Sequence, residues 1–186
     1  MQPWDPPPAP TKGDDSAGLT FEWAGRFMSQ WEHVEFRLSL LYSTFTGHSN
    51  SAEKVQEYGL GKIFRERLQN LRRCASKFFI ANSDQELEAV FQHICVATEG
   101  FSERRNEIAH AVVFPSIFLP SFIEDRIGNH DRWALAPPYY AVRNFNPEGL
   151  PKYAYTSREL NQLVIRLNVL QKDIEVFQET LQNTAS

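Results

Sequence analysis

The sequence has few cysteines and no long apolar run. These two absences argue against a disulfide-rich protein, a cysteine-ligated metal site and a membrane-spanning protein. Among its 186 residues there are two cysteines, Cys74 and Cys95, and neither has a second Cys or His at metal-ligand spacing. We therefore expect two reduced thiols in the core, no disulfide framework and no metal site. No apolar stretch approaches the ~20 residues that span a bilayer, so no membrane association is expected.

The N-terminal residues also lack a secretory signal, because they contain neither a basic region nor an apolar one. A cytoplasmic protein is therefore expected. Five of the eleven prolines lie in residues 1–15, and this segment has too little apolar area to offset the cost of ordering it. The sequence predicts a disordered proline-rich arm over residues 1–15 and a single helical domain over residues 16–186, a length that suits one hydrophobic core.

Acidic side chains outnumber basic ones, and the formal net charge of -4 argues against a protein coated in phosphate-binding groups. Basic charge is nevertheless concentrated in residues 61–80, which sum to +5. If the protein binds a nucleic acid, this segment is the expected place, and its candidate RNA contacts are Arg65, Arg72, Arg73 and Lys77. The alternative is a solvated helix face whose basic side chains pair with acidic neighbours.

Apolar residues recur at alternating steps of three and four in four long stretches, which is the pattern of helices packed against neighbours. The first helix is predicted over about residues 19–45 and the last over 160–181. The second stretch covers 52–80, and Gly59 and Gly61 are expected to divide it into a short and a long piece. The third and fourth helices begin at capping boxes, residues 83–86 and 156–159. Four such stretches, with short connections except between the last pair, predict an all-α fold, an antiparallel four-helix bundle.

The helical period is interrupted between the third and fourth helices by residues 114–155, a stretch of 42 residues. Connections in compact domains are typically ~4–6 residues long, so this stretch is predicted to be an irregular insertion with structure of its own. We expect a small β-hairpin with strands at 131–136 and 139–143, and a turn at 146–149. Its aromatic side chains are expected to pack the insertion onto the helices, and stacking on bases is the alternative.

The end of the third helical pattern brings together residue types that can act on a phosphate. Arg105 is followed at once by Asn106, and His110 comes after four intervening residues. Pro115 then prevents the helix from continuing. The apolar stripe of the third helix is predicted to run through Leu87, Val90, Ile94, Ala97 and Phe101. Arg104 lies where the next apolar residue of this stripe would stand, which indicates either a drift in register or a seam that opens into a polar pocket.

This stretch resembles the Arg-x(4-6)-His motif of the HEPN superfamily (higher eukaryote and prokaryote nucleotide-binding), in which Asn or Asp commonly follows the Arg. Residues 104–112 carry the resemblance closely. It implies a helical bundle, a symmetric homodimer with a shared cleft, and a metal-independent endoribonuclease that uses no cofactor. It also implies that the protein is the toxin of a toxin-antitoxin or anti-phage defence system and is neutralised by a cognate protein partner.

The spacing of Arg and His alone is a weak signal in this sequence. Arg26 and His33 have six residues between them, and Arg104 reaches His110 with five. Asn106 directly after the second arginine, and the small residues that flank His110, distinguish the candidate motif. The alternative is structural: His110 would stabilise a helix C-terminus, and the arginine before Asn106 would form an ion pair.

RNA carries its own nucleophile, the 2′-hydroxyl, so a nuclease without metal ligands needs a proton acceptor, a charge stabiliser and alignment. His110 would take the 2′ proton or protonate the departing 5′ oxygen. Arg105 would bind the scissile phosphate, Asn106 would position it, and Arg104 would add a further RNA contact. The expected products are a 2′,3′-cyclic phosphate and a 5′-hydroxyl, and DNA is not expected to be cut.

The helical geometry of the motif limits how these groups can meet. On an ideal helix Asn106 and His110 share a face, whereas Arg105 lies about 140° away from His110. Either the arginine reaches round, or the helix distorts, or the two groups meet across a dimer. Two other functional classes stay open: a HEPN module that binds RNA or a nucleotide without cutting, and a helical protein-interaction domain.

Overall fold

A computed structural model describes the chain at residues 2–48, 51–120, 122, 124–125 and 131–184. This part of the protein is mostly helical and contains one small two-stranded sheet. The helices are α1 Ala17–Phe45, α2 Ala52–Gly59, α3 Phe64–Ala81, α4 Gln85–Ala109 and α5 Ser157–Thr184. The strands are β1 Val112–Pro115 and β2 Trp133–Ala136. No helix in the described ranges has the length and apolar character needed to cross a membrane.

The chain divides into two compact units. The first comprises Met1–Gln30 and Glu103–Arg166, and it contains the sheet. The second comprises Trp31–Ser102 and Leu167–Ser186, and it contains α2 and α3. Helices α1, α4 and α5 contribute residues to both units, since each crosses a boundary between them.

The apolar patterns of α1 and α5 are confirmed by burial. Each is an uninterrupted stripe at steps of three and four, so one face of each helix is removed from water along most of its length. The buried members are Phe27, Trp31, Val34, Leu38, Leu41 and Phe45 in α1, and Leu160, Leu163, Leu167, Leu170, Ile174, Phe177 and Leu181 in α5. The capping box of α5 is also formed, because the Glu159 carboxylate accepts the Thr156 N–H at 2.9 Å.

Helix α4 differs from its prediction at its N-terminus. Asp84, not Ser83, is the capping residue, since its Oδ1 accepts the N–H of Leu87 at 2.9 Å. Both residue types are favoured at this position, so the sequence could not separate them. The predicted seam is also wrong at Val90, which is 47% exposed, while Phe91 is fully buried instead.

Helices α2 and α3 are separated at two glycines, as the sequence predicts. A Cβ on Gly61 would stand 2.7 Å from Cγ of Arg67, so only glycine permits this close approach. Arg67 donates to the Gly61 carbonyl at 3.0 Å and forms two 2.7 Å hydrogen bonds with the Glu35 carboxylate, which also accepts from Trp31. This cluster fixes the turn before α3 within the second unit, and Arg67 has no free charge to offer a ligand.

The sheet pairs strands that the sequence did not predict to be partners. Strand β2 lies inside the predicted strand 131–136, but its antiparallel partner is β1, with Val112 opposite Ala136. The predicted second strand, 139–143, instead contains a turn and the start of the 3₁₀ turn Val142–Asn144. The error has a physical source, because β1 directly follows α4 and its valines continue an apolar pattern that suits helix and strand alike.

The turn predicted at residues 146–149 is confirmed. The Gly149 N–H donates to the Asn146 carbonyl at 2.9 Å, and Gly149 has a φ of +76°, which favours glycine. Residues 121, 123 and 126–130 of the predicted insertion lie outside the described residues.

The described part of the predicted disordered arm, residues 2–15, is held against the rest of the first unit. Asp14 is 8% exposed, and its carboxylate accepts the backbone N–H of Ser157 at 2.8 Å and the hydroxyl of Thr20 at 2.7 Å. The backbone of Asp14 pairs with Trp133, and Arg166 donates to the Asp5 carbonyl at 3.0 Å. An apolar-area argument misses this segment because a carboxylate at the N-terminus of α5 anchors it.

Candidate functional site

The candidate motif occupies the last turns of α4 and the residue after it. Ala109 is the last helical residue, and the His110 N–H still donates to the Asn106 carbonyl at 3.2 Å. The helix ends here because Val112 and the next three residues pair with β2. His110 therefore lies at the helix C-terminus, two residues before the sheet begins.

Arg105 and Asn106 are in contact. Nη1 of Arg105 donates to Oδ1 of Asn106 at 3.2 Å; the arginine is half-buried and the asparagine is exposed. Nε of Arg105 is buried and has no hydrogen-bond partner among the residues the structure describes. In the same residues, no carboxylate lies within ion-pair distance of Arg105. No carboxylate in the described ranges therefore neutralises its positive charge, which suits an anionic ligand.

His110 is exposed, and within the described part of the chain its ring has no hydrogen bond or ion pair. Its imidazole forms no hydrogen bond with the side chain of Arg105 or Asn106. Two of the three predicted catalytic residues, which are neighbours in the sequence, are thus in side-chain contact. The imidazole of the third is exposed at the helix C-terminus and forms no hydrogen bond with either of them.

Arg104 lies in a polar cluster at the same helix end, about 100° around the helix axis from Arg105. Its side chain is 11% exposed, and Nη2 lies 3.1 Å from Glu107 Oε1 and 3.3 Å from Glu103 Oε2. The hydroxyl of Tyr155 donates to the other oxygen of Glu107. Ile108 remains buried in the expected register. The register does not drift at Arg104, and the predicted RNA contact is instead occupied by two carboxylates.

Burial dominates the electrostatics of this cluster. It raises the pKa of Glu107, although the hydrogen bond from Tyr155 and the charge of Arg104 both act to lower it. Burial also raises the pKa of Tyr155, and it raises the pKa of Tyr153 to about 12. Both phenols are therefore protonated near neutrality and can donate hydrogen bonds but cannot act as bases.

Sequence reasoning missed Glu107 and Tyr155 as partners of Arg104. The two residues are 48 positions apart, so no local pattern links them. One signal was available: Glu107 follows Arg104 at a spacing of three, which places both side chains on one helix face.

The basic segment on α3 divides into paired and unpaired side chains. Arg72 forms a two-pronged ion pair with Glu99, at 2.8 and 2.9 Å. Arg65, Arg73 and Lys77 are exposed, and within the described residues they have no ion pair. Steps of four residues place these three along one side of the helix. Three of the four predicted contacts are thus available to a ligand, and one is not.

Metal donors and thiols add no further site within the described ranges. No group of three or more His, Cys, Asp or Glu side chains there could hold a metal ion. Both cysteines are free, and burial raises the pKa of the Cys95 thiol to about 11, which keeps it protonated near neutrality.

The features that carry the HEPN resemblance are Arg105, Asn106 and His110 at the end of a long helix. In comparisons with protein-family models, curated proteins and solved structures, nothing matches the chain.

Proposed function

We propose that this chain is a metal-independent endoribonuclease with a HEPN-like helical bundle. The observation that carries the proposal is the state of Arg105, whose guanidinium is held by Asn106 and has no carboxylate partner among the described residues. An unpaired, half-buried arginine can bind a phosphodiester, and an accessible histidine at the same helix end can accept or donate a proton.

The reaction needs no group beyond RNA and these side chains. The 2′-hydroxyl oxygen attacks the adjacent phosphorus while His110 takes its proton, and the bond from phosphorus to the 5′ oxygen breaks. The departing 5′ oxygen receives a proton, so the products are a 2′,3′-cyclic phosphate and a 5′-hydroxyl. Arg105 stabilises the extra negative charge on the phosphoryl oxygens, and Asn106 restricts the guanidinium.

A homodimer accounts for the separation of His110 from Arg105 within one chain. A two-fold axis near the end of α4 would bring two copies of each residue to one cleft, since the same surface is used on both subunits. One imidazole could then act as the base while the other acts as the acid. A single histidine cannot hold and release the proton at the same moment.

The test is incubation of the purified chain with total RNA in the presence of a metal chelator, followed by analysis of the fragment ends. We expect cyclic phosphate and 5′-hydroxyl ends, and we expect His110→Ala to abolish cleavage with an unchanged unfolding temperature. His33→Ala is the matched control, because His33 is also exposed and also follows an arginine, Arg26, with six residues between them.

Intact RNA, or cleavage that survives His110→Ala, would contradict the proposal. Binding of RNA without cleavage would instead favour the non-catalytic module. We also propose, from the same resemblance, that the chain acts as a toxin neutralised by a protein partner. Growth arrest on expression that His110→Ala relieves would support that role.

A further inference from the structure

A groove of about 490 Å³ runs between α4 and α5 within the second unit. Its apolar lining comes from both helices: Leu87, Val90 and Ile94 on α4, and Val176 and Phe177 on α5. Ile94 and Phe177 are also part of the buried core, so the groove opens directly above it. Its volume lies within the ~300–1,000 Å³ that is usual for binding pockets.

Two valines in the groove are left open to solvent. Val90 is 47% exposed and Val176 is 49% exposed, and they lie on the two facing helices. Val90 stands at a position where the α4 apolar stripe predicts burial. Scattered exposed apolar residues are common, but a concave apolar surface with one wall on each helix is typical of a contact surface.

The rim of the groove is acidic. Asp84, Glu86 and Asp173 are exposed members of its lining, and among the residues that the structure describes no Lys or Arg belongs to the lining. His93 is the basic group there. Asp84 also caps α4, but Glu86 and Asp173 have no ion pair within the described ranges. The surface that complements this groove is therefore apolar along its middle and positively charged at its edges.

We propose that this groove docks a cationic amphipathic helix of a partner protein. Both walls are helices, so they offer no free strand edge to an extended peptide. A helix satisfies its own backbone and can place apolar side chains at steps of three and four over the valines. Its Lys or Arg side chains then face the rim carboxylates. None of the proposed nuclease residues lines the groove.

The probe is a fluorescently labelled synthetic helix of about 18 residues, or five turns, with Leu on one face and Lys on its flanks. One comparison peptide carries Glu in place of Lys, and a second has the same composition in scrambled order. We expect the full chain to bind the first peptide in an anisotropy titration and to bind the other two much more weakly. Because the flanking charges are exposed, added salt should weaken the binding.

Variants of the protein locate the binding to the groove. Val90→Glu should lower the affinity for the first peptide about tenfold or more, which is the loss expected when a central contact is removed. Val96→Glu is the matched control, because Val96 is 48% exposed on the same helix and does not line the groove. Asp173→Lys should cost about threefold or more, with Glu88→Lys as its control, since rim charges act mainly through long-range attraction.

Three outcomes would overturn the proposal: no binding of the Lys peptide, equal binding of the scrambled peptide, or equal losses from Val90→Glu and Val96→Glu. Concentration-dependent self-association that Val90→Glu abolishes would assign the groove to a second copy of the chain instead. Because cleavage of RNA is measured separately, Val90→Glu should leave it unchanged, and the two proposals can fail independently.

Discussion

Two helices of this protein each carry a pair of adjacent arginines, and the two pairs show the same division. Arg72 and Arg73 lie on α3, and Arg104 and Arg105 lie near the end of α4. In each pair the first arginine is bound to carboxylates, and the second has no ion pair among the described residues. Consecutive helical residues point about 100° apart, so one member can face acidic neighbours while the other faces outward.

The paired members show how much of a basic segment is already neutralised. Arg72 binds both oxygens of Glu99, which lies 27 residues away. Arg104 binds Glu107, and Tyr155 completes the hydrogen bonding of that carboxylate. A count of arginines in the sequence therefore overestimates the charge available to a nucleic acid. The carboxylates that reduce it lie elsewhere in the chain or on the next turn.

The two unpaired arginines, Arg73 and Arg105, differ in how much conformational freedom their side chains have. Arg73 is exposed, and a long exposed side chain has many conformations to lose on binding. Arg105 is half-buried and held by Asn106, so less conformational freedom is lost when it meets a phosphate. We infer that Arg105 suits one defined phosphate position, whereas Arg73 suits unspecific attraction to an RNA backbone.

The largest expected effect is a difference in RNA cleavage rate between alanine variants of the two arginines of α4. Arg105→Ala should lower the cleavage rate about 10²–10³-fold, the loss expected when one donor to a developing negative charge is removed. Its free energy of unfolding should stay unchanged, because the side chain has no ion pair to lose within the described residues. The measurement is single-turnover cleavage of a fluorogenic RNA oligonucleotide together with urea unfolding.

Arg104→Ala is the matched control on the same turn. It should destabilise the protein, since it leaves Glu107 buried without its cation, while folded molecules keep their cleavage rate. The opposite result, with cleavage lost from Arg104→Ala and retained in Arg105→Ala, would move the phosphate site to the buried face of α4.

A smaller effect concerns the carboxylate that neutralises Arg104. Glu107→Ala should lower the free energy of unfolding by about 2–3 kcal/mol, because it leaves a desolvated guanidinium and the buried Tyr155 hydroxyl without a partner. Glu103→Ala should cost less than about 0.5 kcal/mol, because Glu103 is 72% exposed and its pair with Arg104 is screened by water. Chemical unfolding of both variants measures the difference.

The stability difference should also depend on pH. Burial raises the folded-state pKa of Glu107 above its ordinary value of 4.5. The contribution of Glu107 to the free energy of unfolding is therefore fully present below that ordinary pKa. It declines as the pH rises through the higher folded-state pKa. The loss caused by Glu107→Ala should be greater at about pH 5 than at about pH 8. A loss that grows toward high pH would mean that the ion pair with Arg104 outweighs desolvation.

The sequence was sufficient where the deciding interactions are local. The uninterrupted stripes of α1 and α5 predict burial correctly, and Asn146 with Gly149 predicts the turn they form. Contacts between distant residues could not be predicted. The pairing of β1 with β2, and the anchoring of residues 2–15 through Asp14, depend on partners that no short pattern identifies.

In the candidate site, too, local contacts could be predicted from the sequence and distant contacts could not. The contact between Arg105 and Asn106 joins neighbours in the chain, and their adjacency is visible in the sequence. The sequence also places Arg104 at an apolar position, but it does not show which carboxylate and phenol surround it. Tyr155 lies beyond an insertion whose strand pairing was predicted incorrectly, so its hydrogen bond to Glu107 could not be anticipated.

The smallest effect should separate the arginines of α3, and the salt dependence of RNA binding is the sensitive measurement. A protein group that neutralises one phosphate of a single strand contributes about 0.7 to the slope of log K against log salt. Arg73→Ala should reduce the slope by about that amount, because Arg73 is exposed and unpaired in the described part of the chain, whereas Arg72→Ala should leave it nearly unchanged. Binding should be measured with His110→Ala, so that the RNA stays intact.

Equal slopes for the two variants would show that Glu99 releases Arg72 when RNA binds, or that α3 does not contact the RNA at all. The second case predicts that Lys77→Ala has no effect either, which distinguishes the two.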